Sequence, residues 1–246
     1  MNSLTPSAGR VQRVRHEIKR RDVLVTRVTP VGRHFRSITF GGEALADFQS
    51  LSFDDHVKFI PNPSASEPVR RDYTPRHFDR QRRELTIEFA MHGDGPAANW
   101  ARHAAPGQAA VIAGPRGSLI IPTDYDWHVL IGDETALPAI SRRIEELPAA
   151  ARVTVIGQVG DREDQRVFGG PAQVTTCWVA RQDALLDAVR GLQLPAGDGF
   201  VWCAGEARCM AEVRRLIVDD KGHDRHAIRA AAYWKQGASG HHENLE

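Results

Sequence analysis

The stretch RRDYTPRHF, residues 70 to 78, sets Arg71, Tyr73, Thr74 and Arg76 close together. In an extended chain Arg71, Tyr73 and Pro75 share one face, and Asp72, Thr74 and Arg76 share the other. A flat ligand with an anionic tail could use both faces: its ring against Tyr73, a heteroatom bonded by Thr74, and an arginine fork on phosphate. The same residues also fit a solvated edge strand whose tyrosine keeps only its hydroxyl in water. The choice between the two depends on what the rest of the chain offers.

HGDGPAANW (92 to 100) is a second candidate. Gly93 and Gly95 let a ligand approach the backbone, Pro96 suits the first helical position, and the N–H groups of Ala97, Ala98 and Asn99 are left to face an anion. An ordinary Gly-Pro helix start would read the same way. GPRGS (114 to 118) offers Arg116 to a phosphate or across a cleft, or makes a surface turn. GDETALPAI (132 to 140) joins an apolar strand to a helix, where a nucleotide lies in an open α/β sheet, although it lacks GxGxxG. Asp133 and Glu134 there serve either a ligand or the helix start that follows. CAGEARCM (203 to 210) puts Gly205 and Glu206 at a later strand end, and Cys203 has no base near it in sequence, which argues against a nucleophile. Tyr233, Trp234 and Lys235 could close over a flat ligand. His241, His242 and Glu243 are neighbours that point to alternate sides of an extended chain, so no metal site is expected.

These candidates need elements to hold them. DVLVTRVTPVG, HFRSITFGG, HVKFIP, LTIEFAMH and QAAVIAGPRG are β-rich runs bounded by Gly and Pro, which predicts an antiparallel barrel or sandwich for the first half. From about Asp124 apolar strands alternate with amphipathic helices: WHVLIG, then ETALPAISRRIEEL; ARVTVIGQVG; QVTTCWVA, then ALLDAVRGL; GFVWCAG, then EARCMAEVRRLIVDDKG. That grammar predicts a parallel sheet covered on both faces. The expected division is a flexible basic tail over 1–20, a β-barrel domain over 21–123 and an α/β domain over 124–246.

At 246 residues, 41% hydrophobic and 26% charged, the chain has the composition of a globular protein. A formal charge of +1 argues against nucleic acid as a partner. The basic N-terminal segment has no apolar run, so neither a signal peptide nor membrane insertion is expected. Three cysteines without CxxC spacing argue against disulfides and zinc, and point to the cytoplasm.

RDYTPR (71 to 76), HGDGPAANWA (92 to 101), AGPRGS (113 to 118), GDETALPAI (132 to 140), WCAGEA (202 to 207) and YWKQGASGHHEN (233 to 244), in this order, resemble the siderophore-interacting protein family of ferric-siderophore reductases. That family is a branch of the ferredoxin-reductase-like flavoproteins. The resemblance implies an N-terminal antiparallel β-barrel that binds FAD, a C-terminal α/β domain for NADPH or NADH, and a ferric siderophore as substrate. It implies that Tyr73 stacks along the flavin, Thr74 bonds near its reactive edge, and Arg71 holds phosphate or ribityl oxygens, with Arg76 and Arg116 as further cationic contacts. By the same resemblance the turn after His92, from Gly93 and Gly95 to Ala97 and Ala98, would receive the pyrophosphate, and Asp133, Glu134, Thr135 and Ala136 would lie near the adenine of FAD or the nicotinamide dinucleotide. Gly205 and Glu206 would border the nicotinamide, Trp234 the open face of the flavin, and Lys58 and Lys235 would contact the siderophore. No side chain is assigned as catalytic acid or nucleophile, because a flavin itself links a two-electron hydride donor to a one-electron iron acceptor. A ferredoxin-type protein is the alternative donor, and a non-catalytic siderophore or flavin carrier the alternative function. Asp161, Arg162, Glu163, Asp164 and Arg166 carry mixed charge after VTVIGQVG and leave NADPH against NADH open.

Overall fold

The computed structural model describes residues 10–91, 93, 95–238 and 243–245. The first half runs β1 (Gln12–Arg15), β2 (Arg20–Val31), β3 (Phe35–Gly41), β4 (Val57–Ile60), β5 (Arg71–Tyr73), β6 (His77–Asp79), β7 (Glu84–Ala90), α1 (Pro96–Arg102), β8 (Ala109–Ala113) and β9 (Gly117–Ile120). Seven of these strands form one antiparallel sheet in the order β5-β4-β8-β2-β3-β7-β6. Its end strands, β5 and β6, are consecutive in sequence and joined only by Thr74, Pro75 and Arg76. In a flat sheet they would stand about 29 Å apart, at roughly 4.8 Å per strand. The link from Tyr73 to His77 reaches at most about 14 Å. The sheet therefore curls into a barrel, with the RDYTPR corner at its seam. Inward residues at alternate positions, among them Ile38, Phe40, Phe59, Ile87 and Phe89, fill it together with Ala97 and Ala101 of α1.

The expected flexible tail contains β1, which pairs antiparallel with β9, Gln12 opposite Ile120 and Arg15 opposite Gly117. Three of its four residues are polar and exposed, with Val14 the one apolar position, so no apolar alternation announced the strand. Gly117 permits the approach, since a Cβ there would lie 2.5 Å from the Val14 carbonyl oxygen.

The second half runs β10 (Trp127–Gly132), α2 (Leu137–Glu146), β11 (Arg152–Gln158), β12 (Gln173–Val179), α3 (Gln182–Gly191), β13 (Gly199–Glu206), α4 (Ala207–Arg215), β14 (Ile228–Trp234) and β15 (Glu243–Leu245). The sheet order is β12-β11-β10-β13-β14-β15, parallel except for β15. Strand order reverses between β10 and β13, so their carboxyl ends frame the crevice where an open α/β sheet takes ligands. β15, unforeseen in the polar C-terminal stretch, covers the edge of β14. No helix among the described residues is long and apolar enough to cross a membrane.

The halves share a core. Phe35, Phe53 and Ile121 sit in one apolar cluster with Ile140 and Trp202, and the Phe53 and Trp202 rings meet edge-on at 5.5 Å. Trp202 Nε1 donates to Asp54 at 2.9 Å, and Arg229 pairs with the same carboxylate at 3.0 Å. Across the opposite side, Asp164 accepts from the Arg33 and His34 amides, both at 2.8 Å.

His128 on β10 is 1% exposed, and its Nε2 has no hydrogen-bond partner among the described residues. Burial, reinforced by the Arg143 charge, pushes its pKa down to about 4 from an ordinary 6.5. The unfolded chain takes up the proton first, so this group's contribution is complete above pH 6.5 and lost as pH falls toward 4, about 3 kcal/mol in all. His128→Phe should flatten the urea-unfolding free energy across that interval. An unchanged slope would assign the acid sensitivity to another group.

Candidate functional site

The barrel seam and the switch point of the parallel sheet face one another across a cleft of about 240 Å³. Arg71, Asp72, Tyr73 and Thr74 line one side, Gly95, Ala97 and Ala98 come from the start of α1, and Glu134, Thr135, Tyr233 and Trp234 come from the ends of β10 and β14. The structure thus gathers residues that are up to about 160 positions apart in sequence.

Tyr73 is half-buried, its ring 4.4 Å from Phe89 and edge-on to Phe59 at 5.9 Å. Burial pushes its phenol far above the ordinary range, so it stays neutral. Thr74 is 7% exposed and hydrogen-bonds the Tyr233 hydroxyl, whose pKa burial also raises. Arg71 donates to the Arg70 carbonyl at 2.9 Å and has no carboxylate paired with it among the described residues. α1 begins at Pro96 with no side-chain cap, which leaves the first-turn amides of Ala97 and Ala98 without intrahelical acceptors. The Asn99 amide, expected to face an anion as well, already donates to the Gly95 carbonyl at 2.9 Å.

Other expected contacts have different tasks. Asp133 is fully buried and accepts four hydrogen bonds: on Oδ1 from the Thr135 amide at 2.9 Å and its hydroxyl, on Oδ2 from the Glu206 amide at 2.9 Å and Trp234 Nε1 at 2.8 Å. It ties the ends of β10, β13 and β14 together, and burial raises its pKa. Gly205 is required by that approach, because at φ +153° a Cβ would lie 2.5 Å from Asp133 Oδ2. Glu206 caps α4 through the Cys209 amide at 3.0 Å, and Ala136 lies within the apolar core. Arg76 leaves the cleft to pair with Glu145 at 2.7 Å and to approach Glu88 at 3.4 Å. Arg166, one of the cations that could have met a 2′-phosphate, pairs with Glu88 at 2.9 Å. Lys58 is held 2.7 Å from Asp72. Lys235 is exposed beyond β14 in a bridge to Ala238. Gly93 is exposed with φ +69°, while His92, His241 and His242 lie outside the described residues. Burial pushes the Cys203 and Cys209 thiols up to about 12, which removes them as nucleophiles.

Sequence reasoning missed a second hollow of about 700 Å³ that adjoins the cleft, with His56 lining both. Arg13, Arg15, Arg116 and Arg229 outnumber Asp54 and Asp55 on its walls. Arg116, expected at a cofactor, lines this groove. The available signal was the RVR spacing of Arg13 and Arg15, which puts both on one face of a strand.

Aromatic walls, a cation without an acid partner and uncapped helix amides fit a flavin and its diphosphate. The family model described as a siderophore-interacting FAD-binding domain matches residues 24–68 and 60–119, and that described as siderophore-interacting protein matches 125–237. The chain belongs to the siderophore-interacting protein family. Its fold is shared with the ferredoxin reductase in carbazole 1,9a-dioxygenase, which superimposes on 86% of this chain and is itself 68% covered, at 15% identity and a TM-score of 0.68. A siderophore utilization protein from T. fusca, itself 98% covered, superimposes on 94% of this chain at 35% identity and a TM-score of 0.87. An NADPH-dependent ferric-chelate reductase from Escherichia coli is 36% identical over 91% of this chain and 96% of its own length. The ferric vibriobactin reductase ViuB from Vibrio cholerae is 32% identical over 84% of this chain and 86% of its own length.

Asp133→Asn should cost about 2 to 3 kcal/mol, because an amide would set N–H against Trp234 Nε1 or the Glu206 amide and leave buried donors unmet. Chemical denaturation measures it. A loss below about 0.5 kcal/mol would show that the strand ends do not depend on this carboxylate.

Proposed function

We propose that this chain is an FAD-dependent reductase that uses NADPH or NADH to reduce ferric siderophores and release Fe(II). The observation that carries this reading is the junction at His56 of an aromatic cleft with an arginine-lined groove. One hollow suits a flavin and the other an anionic chelate, side by side. The relatives named as ferric-chelate and ferric vibriobactin reductases support it.

In this reading residues 21–123 hold FAD and 124–246 receive the nicotinamide coenzyme. Tyr73 and Trp234 bound the flavin ring, Thr74 with Tyr233 meets its polar edge, and Arg71 with the Ala97 and Ala98 amides holds the diphosphate. Bound FAD supplies the electron chemistry, accepting a hydride and giving its two electrons singly to iron. The apolar walls keep water away from the ring, and the neutral Tyr73 supplies no charge there. Glu134 and Thr135 reach the cleft and can meet the coenzyme, whereas Asp133 only positions the strand ends. Arg13, Arg15, Arg116 and Arg229 draw in the anionic chelate. Lys58, paired with the cleft residue Asp72, and Lys235, next to Trp234, are further candidates for the same anion. Free cysteines and a nicotinamide donor favour a cytoplasmic setting.

Protein loaded with FAD and mixed anaerobically with NADPH or NADH should lose its flavin absorbance, then recover it as a ferric siderophore yields Fe(II) trapped by ferrozine. Bleaching by reduced ferredoxin alone would reassign the donor, and failure to bind FAD would overturn the reading. Arg71→Ala should raise the FAD dissociation constant roughly 10- to 100-fold, the worth of a charge-assisted hydrogen bond. Fluorescence titration of the apoprotein reads it, and unchanged affinity would remove Arg71 from the diphosphate.

A further inference from the structure

The charged segment after β11 holds Asp161, Arg162, Glu163, Asp164 and Arg166, and the fold engages three of them against the barrel half. Asp161 accepts from the Glu163 amide at 2.9 Å and from the Arg33 guanidinium at 3.0 Å. Asp164 is 4% exposed and accepts from the Arg33 and His34 amides and pairs with His34 Nδ1 at 2.7 Å. Arg166 pairs with Glu88 at 2.9 Å and lies over the Phe35 ring. Arg162 is exposed, and its guanidinium has no acceptor among the described residues. Arg162, Glu163 and Asp164 form one 3-10 turn, which sets successive side chains about 120° apart. With Asp164 turned to the β2–β3 hairpin, Arg162 and Glu163 leave on opposite flanks. Arg181, just past the end of β12, forks onto Asp183 at 3.1 and 3.0 Å. Arg162 is therefore the unpaired cation of these two strand ends among the described residues.

An apolar platform adjoins it. Val167, five residues on, is fully exposed. Phe168 beside it is half-buried and stacks on Trp178 of β12, with centroids 5.9 Å apart and planes at 17°. Trp178 in turn lies over Gly157 near the end of β11, where a Cβ would meet its ring at 2.3 Å. Glu88, the partner of Arg166, lines the cleft, so this loop begins at the cleft wall. Glu134 and Thr135 after β10 line the same cleft, and β11 is the next strand outward from the switch point. In open sheets of this kind the second strand's end meets the adenosine ribose: an acid there bonds a free 2′-hydroxyl, and an arginine takes a 2′-phosphate.

We propose that residues 162–168 form the adenosine 2′-phosphate subsite of the coenzyme, with Arg162 on the phosphate and Val167 and Phe168 against the adenine, and that the chain thereby selects NADPH over NADH. The proposal rests on the reading of this chain as a nicotinamide-dependent reductase. A guanidinium fork meets a phosphate through paired, charge-assisted hydrogen bonds. Arg162 breaks no ion pair to make them. The acids that would favour a bare 2′-hydroxyl are turned elsewhere: Asp161 is matched by Arg33, Asp164 is buried on the hairpin, and Glu163 leaves on the other flank. NADH gives Arg162 nothing to hold, so the two coenzymes differ by one arginine–phosphate contact.

The test has a binding arm and a kinetic arm, both on FAD-loaded protein. By titration calorimetry 2′,5′-ADP should bind about tenfold or more tightly than ADP. In Arg162→Ala that difference should vanish, and in Arg162→Lys part of it should return, because lysine keeps the charge without the fork. Val167→Ser should weaken both nucleotides alike, by about threefold. In anaerobic stopped-flow mixing, the NADPH-to-NADH ratio of flavin-bleaching rate constants should exceed about ten, shrink as salt rises and collapse in Arg162→Ala. Equal binding of 2′,5′-ADP and ADP by the wild type, a preference that survives in Arg162→Ala, or a Val167→Ser variant that binds both as tightly as wild type overturns the proposal. Bleaching by NADH as fast as by NADPH also overturns it and leaves the reductase reading intact. If neither coenzyme bleaches the flavin while 2′,5′-ADP still binds through Arg162, the nicotinamide-dependent reading fails and the subsite stands.

Discussion

Arg142 on α2 is bonded to Ser50 Oγ at 2.8 Å, to the Ser50 carbonyl at 3.0 Å, to the Pro75 carbonyl at 2.9 Å and to Glu146 at 2.7 Å. A guanidinium presents its donors in a rigid planar fork, so one side chain fixes the relative position of every group it meets. Pro75 belongs to the barrel seam that carries Tyr73 and Thr74. Ser50 begins the loop that carries Phe53, Asp54 and Asp55. The wall of the cleft that carries Tyr73 and Thr74 and the acidic end of the groove therefore hang from the same residue of the α/β half. Neutral carbonyls as acceptors tie this seam by hydrogen-bond geometry, where exposed ion pairs alone would add little.

Two buried carboxylates show how donor placement decides what burial does. Asp133 has both oxygens met by donors from three strand ends and works as an internal tie. Asp55 has one oxygen met by three donors and the other by none among the described residues. Removal from water raises the pKa of both.

Local patterns made the architecture legible. The β-rich runs bounded by Gly and Pro, such as HFRSITFGG and LTIEFAMH, marked the barrel strands, the strand-to-helix grammar after Asp124 marked the parallel sheet, and RDYTPR and the Gly-Pro helix start supplied Arg71, Tyr73, Thr74, Gly95, Ala97 and Ala98, which meet at one cleft. What stayed hidden was the pairing of charges across long separations. Arg76 looks like a cofactor contact until Glu145, 69 residues later, stands opposite it. Ser50 lies 92 residues before Arg142. Asp133 was open between a cap and a ligand contact because only the fold brings Trp234 and Glu206 to its second oxygen. The groove was invisible for the same reason, being assembled from four short segments around residues 13–16, 54–56, 116–119 and 229.

The walls of that groove differ in how freely they can change. Residues 54–56 follow the loop tied to Arg142, and Arg229 stands in a strand of the central parallel sheet. The ribbon of β1 and β9 is separate from both large sheets and is joined by four residue pairs. Two strands alone are marginal, so the ribbon is the compliant jaw of an otherwise stiff vise. Arg13 or Arg15 can therefore be exchanged, altering the girth and charge of the groove, while the wall that carries Tyr73 and Thr74 keeps its shape.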